Sequence, residues 1–344
     1  MAWADWLNGM RRRFLSDPAR GTALTRTRRA RVLLGESTEI ARMVERLEDR
    51  SLMTATPQVI DLTPGSGDSN PRSLMQVDGA LFFTTSSYSG SGLWKSDGTA
   101  AGTVQLLATV GGDAPLTEIN GTVYVLARVS YQQSYELWKS DGTAVGTTRV
   151  KGGFGYYGFY APASLVNVQG TLFFTSNGQL WKSDGTEAGT VTVGGSSFTS
   201  PSQLTAVGSA LFFAASTSTT GEELWKTDGT AGGTMLVKDI RPGVYPSGIQ
   251  SLVNVNGVLF FDADDGTHGR ELWKSDGTAD GTRLVKDIVP GAQSSDSWNP
   301  TAAGDKLFFT AFDGAGFEPW VSDGTEAGTF RLADIVPGSS AHDP

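Results

Sequence analysis

Residues 271–278 of the chain read Glu-Leu-Trp-Lys-Ser-Asp-Gly-Thr, and residues 283–291 read Arg-Leu-Val-Lys-Asp-Ile-Val-Pro-Gly. Variants of the first string recur, with their tryptophans 43 to 48 residues apart. The tryptophans are Trp94, Trp138, Trp181, Trp225, Trp273 and Trp320. An apolar triplet, such as Leu259-Phe260-Phe261, precedes each of them. Six copies of one unit therefore fill residues 80–340, and a fixed period of this length indicates a repeat architecture.

Each unit divides into four short strands. A stretch such as Leu252 to Val255 is followed by Asn256-Gly257, a pair that accepts positive φ and suits a tight hairpin. The apolar triplet forms the second strand, Glu-Leu-Trp-Lys the third, and Arg-Leu-Val-Lys the fourth. Four antiparallel strands per unit predict an all-β fold, a β-propeller of about six four-stranded blades. The alternatives are seven blades with one incomplete, or a β-solenoid.

The ends of the repeat region bear on ring closure. Residues 59–65, Val-Ile-Asp-Leu-Thr-Pro-Gly, match the end of the fourth strand, and so does Asp334-Ile335-Val336-Pro337-Gly338. That strand therefore occurs both before the first unit and after the sixth. Either six blades leave one spare strand or a seventh blade is incomplete, and we expect six blades in a closed disc.

Charge and composition exclude several classes of function. Residues 1–53 hold 11 Arg and 7 acidic residues, a net charge of +4, whereas residues 54–344 carry a net charge of −13. A body this acidic is unsuited to nucleic acid, whose binding depends on phosphate neutralisation. No apolar run approaches the length of a membrane span. The chain has no cysteine and only His268 and His342, which excludes thiolate chemistry and leaves little for histidine chemistry.

Two residue types recur at fixed positions, and both have structural explanations. A tryptophan in every unit is expected to act as a wedge between neighbouring sheets. An aspartate opens each Asp-Gly-Thr turn, where its side chain can accept a hydrogen bond from the backbone two residues on. These aspartates are Asp97, Asp141, Asp184, Asp228, Asp276 and Asp323.

The motif at residues 136–143, 223–230 and 271–278 resembles the ELWxxDGT repeat family of bacterial surface and secreted proteins. The resemblance covers residues 59–340, with departures at Gly92, Gln179 and Pro319. It implies a repeat architecture and an extracellular or cell-surface location, but no established activity.

The basic head, residues 1–53, is expected to be a separate segment. Residues 38–50 place Ile40, Met43, Val44 and Leu47 on one face, which predicts a short amphipathic helix. Residues 44–53 resemble the LEDR-type leader of secreted bacterial proteins, although the apolar core of an ordinary signal peptide is missing.

The loops predict where recognition takes place. Because strands alternate in direction, the uniform turns lie on one face of the propeller, and the variable loops and blade linkers lie on the other. Variable loops on a rigid scaffold are typical of binding surfaces, and exposed aromatics there suit sugars or a protein partner. We therefore expect a monomeric, non-enzymatic binding scaffold for a polysaccharide or surface protein. The candidate binding residues are Tyr156, Tyr157, Phe159, Tyr160, Tyr131, Tyr135, Tyr245 and Trp298.

Catalysis and metal binding are the competing interpretations of the loops. The cluster Asp262, Asp264 and Asp265 is a weak calcium candidate, because the usual spacing of a calcium loop is not met; no other cofactor is expected. Asp262 and Asp264, with Glu222 and Glu223, are the carboxylates that a carbohydrate-active hydrolase would use. A structural envelope protein is the third alternative.

Overall fold

A computed structural model shows that the repeat region is built from β-strands alone. The residues that it describes are 60–62, 68–86, 91–109, 115–130, 134–155, 163–195 and 197–333. Within those ranges the chain forms 24 strands and no helix. The strands form six four-stranded antiparallel sheets, each from four consecutive strands. The predicted propeller of six four-stranded blades is therefore confirmed.

The first three blades come from the first half of the described chain. Blade 1 comprises β1 (Pro71–Val77), β2 (Ala80–Thr85), β3 (Gly92–Ser96) and β4 (Val104–Ala108). Blade 2 comprises β5 (Leu116–Ile119), β6 (Thr122–Ala127), β7 (Tyr135–Ser140) and β8 (Thr148–Phe154). Blade 3 comprises β9 (Ala163–Val168), β10 (Thr171–Ser176), β11 (Gln179–Ser183) and β12 (Val191–Val193).

The last three blades repeat the same order. Blade 4 comprises β13 (Thr199–Val207), β14 (Ala210–Thr217), β15 (Gly221–Thr227) and β16 (Met235–Lys238). Blade 5 comprises β17 (Gln250–Val255), β18 (Val258–Asp264), β19 (Arg270–Ser275) and β20 (Arg283–Lys286). Blade 6 comprises β21 (Trp298–Ala303), β22 (Lys306–Phe312), β23 (Phe317–Ser322) and β24 (Phe330–Arg331).

The tight turns between first and second strands have the backbone that their sequences predict. Asn256 has a φ of 49° and Gly257 a φ of 87°. Asp78-Gly79 and Asn120-Gly121 likewise have positive φ at both positions. Two consecutive positive φ values match the twist of a two-residue hairpin, so these pairs fix the register of their blades.

Apolar packing between successive blades forms the core. The second strands of blades 2 to 5 are apolar on both faces because each lies between two packed neighbours: Leu259 and Phe261 pack towards blade 4, and Phe260 packs towards blade 6. Among the described residues, five such clusters join blade 1 to 2, 2 to 3, 3 to 4, 4 to 5 and 5 to 6. The repeat tryptophans of blades 2 to 6 pack in or against these clusters.

The junction between blade 6 and blade 1, here called the seam, differs from the other five. Leu81 of blade 1 is 36% exposed and Phe308 of blade 6 is 37% exposed, whereas their counterparts in the other blades are buried. Trp94 of blade 1 stacks on Phe83 of its own sheet and belongs to none of the five clusters. As far as the described residues go, the expected closed disc is therefore not packed at the seam as it is at the other five junctions.

Candidate binding face

One face of the propeller carries the blade linkers together with the loops between second and third strands. We call it the linker face. The linker residue Ser247 is fully buried; its N–H donates to Glu222 O at 3.0 Å, and its carbonyl accepts from Asp264 N at 2.8 Å. Ser295 makes the same two bonds between Arg270 and Phe312. Each serine thus ties the start of one blade's third strand to the end of the next blade's second strand.

The opposite face carries the uniform Asp-Gly-Thr turns, and we call it the turn face. Asp276 Oδ1 accepts hydrogen bonds from Thr278 N at 2.8 Å and Thr278 Oγ1 at 2.7 Å. The five other turns repeat both bonds. Because the bonds from Thr278 stabilise the ionised carboxylate, they hold the pKa of Asp276 below its usual value. These aspartates lie where a structural turn requires them, on the face away from the variable loops.

Lysines of the third strands join successive blades on the turn face. Lys226 Nζ donates to Gly277 O of the next blade at 2.8 Å, and Lys182 Nζ donates to Gly229 O at 2.7 Å. Lys95, Lys139 and Lys274 make the same bond to the blade that follows theirs. We call these contacts lysine latches. They make the turn face a regular structural surface rather than a variable one.

The glutamate that opens the repeat motif holds the blade linker, a role that the sequence analysis did not assign. Glu271 is fully buried, and its carboxylate accepts from Ile288 N at 3.0 Å and Ser295 N at 3.1 Å. Glu223, the equivalent residue of blade 4, accepts from Ile240 N at 2.8 Å in the linker that follows that blade. Burial raises the pKa of both carboxyl groups to about 7, against the opposing effect of the N–H donors. The recurrence of Glu before Leu-Trp and of Asp-Ile after Lys is the sequence signal for this clamp.

Tyr245 is the most exposed aromatic ring described on the linker face. It lies in the linker between blades 4 and 5 with 63% of its surface exposed. The Arg241 guanidinium lies 5.6 Å from the ring centroid and pairs with Asp264 at 2.6 Å. The backbone of Tyr245 lies directly over Gly221, where a β-carbon would meet the Tyr245 carbonyl group at 2.7 Å. The ring is therefore exposed and lies against the Arg241 guanidinium, on a backbone packed closely over Gly221.

Trp298 offers a second exposed ring, at the start of β21. It is 44% exposed, and its ring centroid lies 5.3 Å from that of Phe317. Phe317 in turn lies 5.5 Å from Phe312. Trp298 therefore rests on an aromatic stack at the blade 5–6 junction, the junction next to that of Tyr245. Two of the eight predicted binding residues thus lie exposed, one in the blade 4–5 linker and the other at the start of the first strand of blade 6.

The other predicted aromatics have different outcomes. Tyr135 is half-buried against the blade 2–3 cluster, with Arg128 5.1 Å from its ring centroid. Phe154 precedes the candidate residues Tyr156 to Tyr160 in the sequence. It is fully buried and packs edge-on against Phe174 and Trp181, with ring centroids 5.1 Å apart. Its ring belongs to the core because its position on β8 faces the neighbouring blade. The remaining candidates lie outside the described residues, as does the predicted helix at 38–50: Tyr131, Tyr156, Tyr157, Phe159 and Tyr160.

The loop carboxylates do not converge. Asp262 is 2% exposed, and burial raises its pKa well above the usual value. Asp264 pairs with Arg241, whereas Asp265 Oδ2 lies 2.8 Å from His268 Nδ1. The bond to Asp265 raises the pKa of His268. Within the described ranges, no group of three or more acidic or histidine residues is placed to hold a metal ion.

Two of the four carboxylates that a hydrolase would use, Glu223 and Asp262, are enclosed by protein. Glu223 is fully buried and clamps the linker, and Asp262 is nearly so. Burial also raises the pKa of Glu222, whose carbonyl accepts from Ser247. General acid–base work on a sugar needs two carboxyl groups that reach the substrate from opposite sides of the bond. Glu223 and Asp262 do not reach solvent on the linker face.

In the part of the chain that the structure describes, no helix is long and apolar enough to cross a membrane. No protein-family model matches the chain, and no curated protein matches it.

Solved structures resemble the chain only distantly. It is similar to the computationally designed Ika8 protein, with 16% identity, a TM-score of 0.45, and coverage of 78% of this chain and 76% of that one. It is similar to oligopeptidase B from Leishmania major, with 11% identity, a TM-score of 0.48, and coverage of 78% and 42%. It is similar to the Pyrococcus horikoshii acylaminoacyl peptidase, with 9% identity, a TM-score of 0.44, and coverage of 78% of this chain and 46% of that one. With TM-scores below 0.5, these resemblances carry no functional argument, and the propeller assignment rests on the sheet topology.

Proposed function

We propose that the protein is a non-catalytic recognition module that binds a neutral polysaccharide through the linker face of blades 4 to 6. The observation that supports this proposal is the pair of fixed, exposed rings, Tyr245 at 63% and Trp298 at 44%. An exposed ring normally loses conformational entropy when it binds, but these two are already held by Arg241 and Phe317. A preorganised aromatic surface is therefore available without rearrangement.

The chemistry of the surface suits sugars. A ring face packs against the C–H face of a pyranose, while nearby charged groups can bond its hydroxyls. Arg241 supplies such a group in the blade 4–5 linker, and Asp264 and the Asp265–His268 pair supply others between the second and third strands of blade 5. Residues 54–344 carry a net charge of −13, which would repel an acidic polymer, so a neutral glycan fits better. The extracellular location implied by the repeat family is part of the same proposal.

Retention on insoluble neutral polysaccharides and on a glycan array tests the proposal. Tyr245→Ala and Trp298→Ala are each expected to weaken binding about tenfold, the loss of one aromatic contact. Val145→Ala is the matched control, because Val145 is 91% exposed in the β7–β8 turn of the turn face. Circular dichroism of each variant checks the fold.

Two results would reject the assignment. One is a full chain that is retained by no neutral glycan. The other is glycan binding that both aromatic variants leave unchanged, which would move the site elsewhere. Binding to a surface protein without any glycan affinity would support the protein-partner alternative instead.

A further inference from the structure

Equivalent positions of the six blades can be compared directly, and the comparison singles out the seam. Leu81 opens the apolar triplet of blade 1 and is 36% exposed, whereas its five counterparts are fully buried. Phe308, the middle residue of the triplet in blade 6, is 37% exposed, and its counterparts are at 7% or less. Leu332 is 48% exposed, and its counterparts on the fourth strands are at 9% or less. Among the described residues, both faces at the seam are therefore apolar faces that lack the packed neighbour of every other blade face.

The lysine latches show the same gap. Each glycine of the Asp-Gly-Thr turns in blades 2 to 6 accepts a latch from the blade before it. Gly98 is the equivalent glycine of blade 1, and a β-carbon built on it would meet nothing within 4 Å. The residue of blade 6 at the lysine position is Val321. The turn of blade 1 thus lies open where the other five are covered.

We propose that the seam is a docking site for one further four-stranded sheet of this same repeat, in addition to the six sheets that the described residues form. The two seam faces need different counterparts. The blade 6 face lacks the Leu-Phe-Trp side of a following sheet, and the blade 1 face lacks the middle phenylalanine and lysine of a preceding one. Blades 3, 4 and 5 each carry both sets on opposite sides of one sheet. One such sheet therefore matches both faces at once.

Blade 6 keeps the residues that lead into a next sheet. Glu318 is buried at 6%, at the position where Glu271 holds the linker to blade 6. Asp334-Ile335-Val336-Pro337-Gly338 repeats the linker sequence of residues 287–291. In that linker Ile288 and Val289 are buried in the blade 5–6 cluster. A second copy of this chain fits the seam less well. Its two exposed seam faces belong to different blades, whereas the seam requires both sets of residues on opposite sides of one sheet.

Single cysteines test the proposal, because the chain has no cysteine of its own. Leu332→Cys reports the blade 6 face, Leu81→Cys the blade 1 face, and Val145→Cys a fully exposed control. Thiol labelling rates are compared between the full chain and a chain that carries, after Ala333, a copy of residues 239–286. That copy supplies the linker, the sheet and the latch lysine of blade 5. A Gly/Ser segment of equal length serves as the matched extension.

The copied sheet is expected to slow labelling of both seam cysteines at least tenfold and to leave the Val145→Cys rate unchanged. In a copied sheet that carries Phe260→Ala and Lys274→Val, only the side that faces blade 1 is impaired. This sheet is expected to slow labelling of the Leu332→Cys variant but not of the Leu81→Cys variant. Unchanged labelling with the copied sheet would overturn the proposal. Slow labelling of both seam cysteines in the monomeric 344-residue chain would overturn the proposal, because it would mean that blades 1 and 6 pack directly on each other. Labelling that slows as the protein concentration rises would also overturn it, because it would mean that a second copy of the chain covers the seam.

Discussion

Acidic residues at two fixed positions of the repeat lie in opposite environments. Asp276 is exposed, and the hydrogen bonds from Thr278 lower its pKa. Glu271 is fully buried, and its pKa is raised to about 7. The aspartate therefore stabilises its turn as an ordinary carboxylate, while the glutamate carries a cost of burial when it is ionised. Neither is placed for chemistry on a ligand.

Adjacent glycines in the blade 4 turn give a prediction at this scale. A β-carbon on Gly233 would collide with the Asp228 carboxylate, whereas one on Gly232 would meet nothing within 4 Å. Gly233→Ala is expected to lower the free energy of unfolding by about 1–3 kcal/mol through overpacking. Gly232→Ala is the matched control and should be neutral or slightly stabilising. Urea unfolding measures both, and equal losses would contradict the account of the turn.

Glu271 gives a prediction about pH. The folded carboxyl has a pKa of about 7, whereas in the unfolded chain its pKa returns to the ordinary value of about 4.5. Between these pH values the folded state binds more protons, so the contribution of Glu271 makes the free energy of unfolding fall as pH rises. The slope from one such group reaches at most about 1.4 kcal/mol per pH unit. Glu271→Gln should flatten this fall in urea titrations between pH 4.5 and 7; an unchanged slope would refute it.

Among the elements, the third strand does the most to join blades. Its leucine and tryptophan pack against opposite neighbours, and its lysine latches the next turn. The latch spans 46 to 51 residues along the chain. A blade therefore contributes to the stability of its neighbours through its third strand as well as through its second.

Loss of one latch is expected to have a modest effect. Lys226→Met removes the hydrogen bond to Gly277 O but keeps the aliphatic stem, and should cost about 1 kcal/mol in free energy of unfolding. Lys306→Met is the control, because Lys306 is an exposed lysine of β22 for which no latch is described. If both variants lose the same stability, the latch contributes nothing of its own.

The sequence predicts those features that have local causes. Asn256-Gly257 requires a tight hairpin, and the apolar triplet requires a strand buried on both faces, so the four strands per unit follow directly. The lysine latch and the Glu271 clamp join residues far apart in the sequence, and the type of residue alone does not show its partner. The burial of Phe154 cannot be predicted for a related reason: it depends on contacts with a neighbouring blade. Tyr245 and Trp298 are predictable as exposed residues because blade linkers and the strand starts that follow them have a known place in a propeller.

For the whole molecule, the open seam predicts unequal costs for the same substitution. Trp273 is 6% exposed at the blade 4–5 junction, and Trp273→Ala should cost about 3–5 kcal/mol. Trp94 occupies the same repeat position at the seam, where its described aromatic contact is Phe83. Trp94→Ala should therefore cost clearly less. Urea unfolding of the two variants measures the difference, and equal costs would mean that the seam is packed in solution.

Within the described ranges, five packed junctions join the six blades, so these blades form a series of modules with two ends. In a circle, a module can leave only when two contacts break together; at an open end, one is enough. Amide hydrogen exchange should then begin in blades 1 and 6 and reach blades 3 and 4 last. A sheet that fills the seam would cover both ends of this series at once. Its binding would therefore slow amide hydrogen exchange in all six blades and not only in blades 1 and 6.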